Sequence, residues 1–353
     1  MKPTWVEKTD ERLNTDIDIK ENDIFEQSEE LLATLLRDHT TGRNIFWATD
    51  MYEERGAGYG YHDEILAPNI TGVNGNVIRP RAAKSKEEQS KRVKDKAEVF
   101  TPSWVCNAQN NLIDNAWFGR EGVFNTEYTA NDGTPCWKTN ESPVTFPDGK
   151  TWRDYVRDTR LEITCGEAPY LCSRYDTTTG DIIPLADRIG LLDRKLRVVS
   201  ENVNESGKWL EWAQEAYKSC YGYEWQGDSR IIARETLLYT FVDFYSAKFG
   251  RAPLLKSLLY MAYIISWNVF QMDGLKFVVP DSCHDVPFAP PIQQLDLFGS
   301  PRQSQPELPL TQPCLGCKTG NAHRHNGQYC LIRDWKVKDR EKQKIKFVSL
   351  LKI

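Results

Sequence analysis

YGYEWQGDSRIIARETLL, residues 221–238, decides the fold class of this 353-residue chain. YGYEW (221–225) reads as a strand, and the helix after it carries Ile232, Leu237, Phe241, Val242 and Tyr245. Toward the N-terminus, RLEIT (160–164) reads as another strand. Between the two, Ile189, Leu192, Leu196, Val199 and Val203 keep helical spacing, and Leu210, Ala213 and Tyr217 keep it again. Toward the C-terminus, a helix over 254–265 runs into a third strand, WNVFQMD (267–273). Strands separated by helices predict an α/β protein with a parallel sheet covered on both faces.

Composition bounds the rest. An apolar fraction of 40%, with 11 Trp, 15 Tyr and 14 Phe, fills a sizeable core and excludes disorder throughout, although a mean hydropathy of -0.57 makes the surface polar. The apolar stretch Leu254 to Ile265 is interrupted by Lys256 and Ser257 and falls short of the ~20 residues of a membrane span. The opening MKPTWVEKTDERLNTD has no apolar signal core, and nine scattered cysteines fit reduced thiols, so a cytoplasmic protein is expected. A net charge of -5 argues against a generally basic nucleic-acid coat protein, so any nucleic-acid contact needs a local patch.

Four regions follow: an N-terminal helical or mixed extension (1–78), the α/β domain (79–288), a Pro-rich linker (289–313) and a Cys/His tail with a basic end (314–353). In the extension, 22–38 predicts an acidic amphipathic helix, NIFWATDMY (44–52) a short strand, and GAGYGYHDE (56–64) a turn. Residues 79–96 carry eight Lys/Arg against three acids. They read as a solvated helix or as a phosphate-facing strip.

In an open parallel sheet, ligands sit beyond the carboxyl ends of the strands. Three acids fall there: Glu162, Glu224 and Asp273. The loop TCGEAPYL after the first strand places Gly166 and small Ala168 where backbone can approach a ligand closely. A carboxylate ending the next strand suits a ribose diol, and one ending the third can accept from an adenine amine. Taken singly, each acid reads first as a helix cap or a surface group, whereas three in register at strand ends favour a ligand site.

With EVFTPSWVCNAQNNLID (98–114), LEITCGEAPYL (161–171) and ISWNVFQMDGL (265–275), the 221–238 block resembles the adenine-specific DNA methyltransferases, above all the proteins labelled restriction endonuclease subunit M or restriction-modification methylases. The resemblance spans about residues 80–275. It implies a Rossmann-like methyltransferase sheet, S-adenosylmethionine as cofactor, double-stranded DNA as substrate, and a restriction subunit as a partner. Phe100, Thr101 and Pro102 match the family's F/T-P element. Glu162, Gly166 and Tyr170 match its acid-glycine-aromatic loop, with Ala168 in place of a glycine. Glu224 matches its ribose-binding acid and Asp273 its adenine-binding acid.

The run from Glu162 to Glu224 exceeds the ~20 residues usual between such a loop and its ribose acid, so two helices are inserted. The family's catalytic N/D/S-P-P-aromatic motif is absent. Adenine's exocyclic amine is a poor nucleophile, because its lone pair delocalises into the ring. An Asn or Asp and a backbone carbonyl must accept its hydrogens while an aromatic stacks on the flipped base. The near match is DVPF, which offers Asp285 as acceptor and Phe288 as stacking ring, or is merely the entry to the linker. Two functions therefore stand: an adenine methyltransferase of a restriction-modification system, or a degenerate methylase fold that binds DNA or a partner subunit.

Cys314-x2-Cys317 followed by His325-x4-Cys330 is a zinc-knuckle-like spacing, with His323 an alternative ligand. A segment this short cannot bury a core, so a tetrahedral structural zinc would supply its folding energy. Within the linker, QLDLF (294–298) resembles ligands of the replicative sliding clamp, offering Leu297 and Phe298 as adjacent anchors. The alternative is a linker segment folded back on the domain.

Overall fold

Helices α1 (Glu21–Gln27) and α2 (Glu29–Leu36) open the described part of the computed structural model, residues 16–96, 98–288 and 310–351. The single helix predicted over 22–38 is thus two. Ser28 is extended (φ -171°), and its hydroxyl accepts from the Leu31 N–H, ending one helix and capping the next. No strand forms over 44–52. Ala48 takes a left-handed φ of 50°, and the amides nearby bond one by one to Leu36, Tyr61 and Asp63 rather than to a ladder. A short helix α3 (Ala67–Ile70) follows, then α4 (Lys86–Lys96) and α5 (Ser103–Phe118).

A hairpin, β1 (Asn125–Thr129) and β2 (Pro135–Thr139), turns through Asn131, Asp132 and Gly133, with Gly133 in the left-handed conformation (φ 86°) that closes a three-residue loop. After α6 (Trp152–Arg157) come the elements of the sheet: β3 (Arg160–Glu162), α7 (Leu191–Asn202), α8 (Ser206–Lys218), β4 (Cys220–Glu224), α9 (Gly227–Phe249), α10 (Leu255–Asn268) and β5 (Val269–Gln271). The chain ends with β6 (Val286–Pro287), β7 (Thr311–Gln312), α11 (Leu315–Thr319), β8 (Leu331–Arg333) and β9 (Lys344–Lys346).

The protein is thus a mixed α/β fold with small sheets, and its parallel sheet has the order β3-β4-β5. Among the described residues this order never reverses, so the sheet has no switch point of the doubly wound kind. Nor do helices cover both faces. Cys220 and Val269 face the main core with Leu196, Ala216 and Phe241, whereas Tyr223, Phe270 and Met272 face a second core built with Cys330, Ile332 and Phe347 of the tail. Alternation along each strand sends neighbouring side chains to opposite faces. The tail is therefore a layer of the fold. Tyr221 also donates from its hydroxyl to the Arg333 carbonyl (2.9 Å).

No helix among the described residues is long and apolar enough to cross a membrane. The cysteines are all free thiols. QLDLF (294–298) lies outside the described residues, as does most of the Pro-rich linker.

Candidate functional site

A cavity of about 870 Å³ opens beyond the carboxyl ends of β3 and β4. Of the eight residues expected to bind cofactor, Phe100, Thr101, Glu162, Gly166, Tyr170 and Glu224 line it. The sequence holds them far apart, and three features bring them together. Gly166 has a left-handed φ of 52°, which folds the loop back under the Phe100 ring, 3.6 Å from where a side chain would begin. From α5, Asn110 donates to the Tyr170 and Ile189 carbonyls, both at 3.0 Å, tying the helix to that loop. At the start of α5, after Pro102, the Ser103 N–H bonds Asp176 at 2.7 Å.

Glu162 braces the loop from inside. Its two carboxylate oxygens accept from the Tyr170 N–H (3.2 Å) and the Leu171 N–H (3.0 Å). Burial pushes its carboxyl up to about 8, outweighing those two hydrogen bonds. Glu224 accepts from the N–H groups of Gly166 (2.8 Å), Trp225 (2.8 Å) and Gln226 (3.2 Å), and burial raises its carboxyl too. A carboxylate has about four acceptor positions, so Glu224 keeps roughly one for a ligand. Ala168, where the family pattern has glycine, holds a φ of 63°. The departure is in the side chain and not in the backbone.

The three acids expected at the strand ends step across the sheet. Glu162 is level with Gly222, and Glu224 with Gln271. Asp273 lies past the end of β5 and does not line the cavity. Its carboxylate accepts from the Leu275 and Lys276 N–H groups (2.9 and 3.1 Å) and pairs with the Lys276 ammonium (3.3 Å). Asp285 and Phe288 are also absent from the lining. Both are exposed, flanking the Val286–Pro287 strand that pairs with Thr311–Gln312.

Some lining residues carried no signal of their own. Ala48 and Tyr61 come from the N-terminal extension, and Trp225 follows Glu224 directly. The Trp225 indole donates to the Tyr61 hydroxyl (3.0 Å), which donates to Asp281 (2.7 Å). A ring standing next to a strand-end acid was the one available hint. The lining holds three carboxylates, of Glu98, Glu162 and Glu224, and no Lys, Arg or His. Phosphate groups would find no positive partner there.

The basic stretch 79–96 is spent partly on the protein itself. Arg92 is buried and paired with Glu98 and Asp228, Lys84 approaches Asp228 at 3.9 Å, and Arg79 pairs with Glu88 at 3.0 Å. Lys86, Lys91 and Lys94 stay exposed.

A second site lies in the tail. Cys283, Cys314, Cys317 and His325 bring their ligand atoms within 4.8 Å of one another, a Cys3His cluster of the kind that binds zinc. This corrects the expected ligand set at one position. Cys330 is fully buried in the second core, and its thiol donates to the Gln271 carbonyl (3.2 Å). Cys283, from before the linker, takes its place, and His325 rather than the exposed His323 supplies the nitrogen. No family model, curated protein or solved structure matches the chain.

Proposed function

We propose that the 870 Å³ cavity binds S-adenosylmethionine, and that the chain is an adenine-specific DNA methyltransferase-like protein of a restriction-modification system, working on double-stranded DNA in the cytoplasm. On this reading, β3, β4 and β5 are the cofactor-binding part of a Rossmann-like methyltransferase sheet. The observation that carries it is the chemistry of the lining. A cavity whose lining has no Lys, Arg or His, and in which Glu224 keeps an acceptor position for a ligand's hydroxyls, suits a nucleoside cofactor that carries no phosphate. S-adenosylmethionine meets both conditions, whereas a dinucleotide does not.

Glu224 would hold the ribose hydroxyls with its remaining acceptor position, and the Gly166 loop would admit the ligand to close backbone contact. Phe100, Tyr170 and Trp225 supply aromatic walls for an adenine ring. When bound, the cofactor offers an electrophilic methyl group. The chain's part would be to orient it, exclude water and accept hydrogens from the target amine.

One observation favours a second reading, in which the fold binds cofactor and DNA or a partner subunit without transferring the methyl. Asp285 and Phe288 stand outside the cavity lining, so no acceptor and stacking ring of the family's kind faces the ligand. Calorimetry with S-adenosylmethionine tests the shared premise: the wild type gives heat and a thermal shift, and Glu224→Ala abolishes both. No heat from the wild type would sink both readings. Tritiated-methyl transfer to unmodified DNA then separates them. Incorporation that Asp285→Ala abolishes supports the enzyme, and binding without incorporation supports the second reading.

A further inference from the structure

The geometry of the Cys3His cluster points to a bound Zn²⁺ that acts as a latch, fastening the tail to the sheet across the Pro-rich segment. The distances carry this first. His325 Nδ1 stands 3.5 Å from the Cys283 sulfur, 3.7 Å from Cys314 and 3.6 Å from Cys317. One ring nitrogen has a single proton or a single lone pair, so it cannot satisfy three thiols by hydrogen bonding. A central ion does explain three equal separations. With Zn–S of about 2.3 Å and Zn–N of about 2.05 Å in a tetrahedron, nitrogen and sulfur lie about 3.6 Å apart.

The surrounding backbone is shaped for the same purpose. The Cys317 N–H points at the Cys314 sulfur (3.5 Å), a bond that favours the thiolate. A Cβ at Gly316 would fall 2.6 Å from the His325 backbone nitrogen and ring, and one at Gly327 would fall 2.9 Å from the Cys283 nitrogen and 3.1 Å from its sulfur. Glycine alone lets these segments approach. On binding one Zn²⁺ the three thiols release about three protons to solvent while the imidazole coordinates as the neutral ring, closing a four-ligand site of the structural kind.

The latch follows from where the ligands come from. Cys283 belongs to the segment leaving β5, and the other three lie beyond the linker. Next to the cluster, β6 pairs with β7, and the Val279 N–H bonds the Gln328 carbonyl (2.8 Å), so both ends of the linker are held at one place. Asp281, two residues before Cys283, receives the Tyr61 hydroxyl that supports Trp225 in the cavity wall. Metal in the tail therefore also fixes one side of the cavity, whatever the cavity binds.

The test uses the full chain. Protein purified without chelator is expected to hold about one zinc per chain. Co²⁺ put in its place is expected to show the d–d bands of a tetrahedral site and a sulfur-to-metal charge-transfer band of three-thiolate intensity. Cys283→Ser should weaken zinc binding at least tenfold and lower the charge-transfer band by about a third. His323→Ala and Cys330→Ala should keep both at the wild-type level. If Cys330→Ala does not fold, the His323→Ala result and the wild-type Co²⁺ spectrum still decide. Zinc retained at wild-type affinity by Cys283→Ser would overturn the inference, as would an octahedral Co²⁺ spectrum or a wild-type chain without metal.

Discussion

Glu162→Gln isolates the brace beneath the glycine loop and makes the cost of that buried carboxyl measurable. Folding raises this group from 4.5 to about 8, chiefly by burial. An acid raised by folding stabilises fully below its unfolded value and loses that stability as pH climbs through the folded one. The window here runs from 4.5 to about 8. At 1.36 kcal/mol per pH unit, about 3 kcal/mol disappears between pH 4.5 and 7, and about 5 kcal/mol by pH 8 and above. Glutamine keeps one acceptor for the Tyr170 and Leu171 N–H groups but turns a donor toward the other. That costs about 1–3 kcal/mol at every pH. The wild type is thus expected to be the more stable protein near pH 5, with its advantage shrinking and then reversing by pH 8. Urea unfolding at each pH gives both curves. Buried carboxyls that do not act on Glu162, Glu167 among them, contribute to both proteins and cancel in the difference. Glu224, whose charge adds to the rise at Glu162, is relieved in the variant and steepens the divergence in the same direction. Parallel curves from pH 5 to 8 would refute the reasoning.

Two further outcomes follow from particular contacts. Arg92→Ala removes the main partner of Asp228, a fully buried carboxyl that Arg92 and Lys84 hold down to about 2 against the effect of burial. Stability at pH 7 is expected to fall by about 3–5 kcal/mol and to recover in part near pH 4, where Asp228 can take up a proton, both read by urea unfolding. Ser28→Ala deletes the hydroxyl that caps α2 and is expected to cost about 1 kcal/mol, seen as a lower urea midpoint with an unchanged slope.

The alternation of strand and helix from β3 to β5 was legible because long amphipathic helices repeat their period often enough to stand out. Ile189 to Val203 and Leu210 to Tyr217 fall on α7 and α8, within a few residues at the ends. What covers the sheet was not legible. Tyr223 and Phe270 are large and apolar whether a helix or a tail packs on them, so sequence cannot tell the two apart. The segment 44–52 misled for a similar reason. Ile45 and Trp47 are buried as strand residues would be, yet the backbone at Ala48 turns left-handed and passes over the cavity.

The ligand error has the same origin and shows its consequence most clearly. A spacing argument favours ligands that are near in sequence, so it pairs His325 with Cys330 and skips Cys283 across the linker. The fold inverts that preference. Cys330 lies in the strip that covers Phe270 and Met272, where a thiol is useful for its bulk, and its sulfur is turned toward the sheet. Cys283 sits where the chain leaves the sheet, which is the position from which a metal can hold the returning tail. The Asp281 turn and the N-terminal extension meet at Tyr61 and Trp225. The cavity wall is thereby assembled from parts of the chain that no local pattern connects. Residues that act on a ligand there need not lie in any motif.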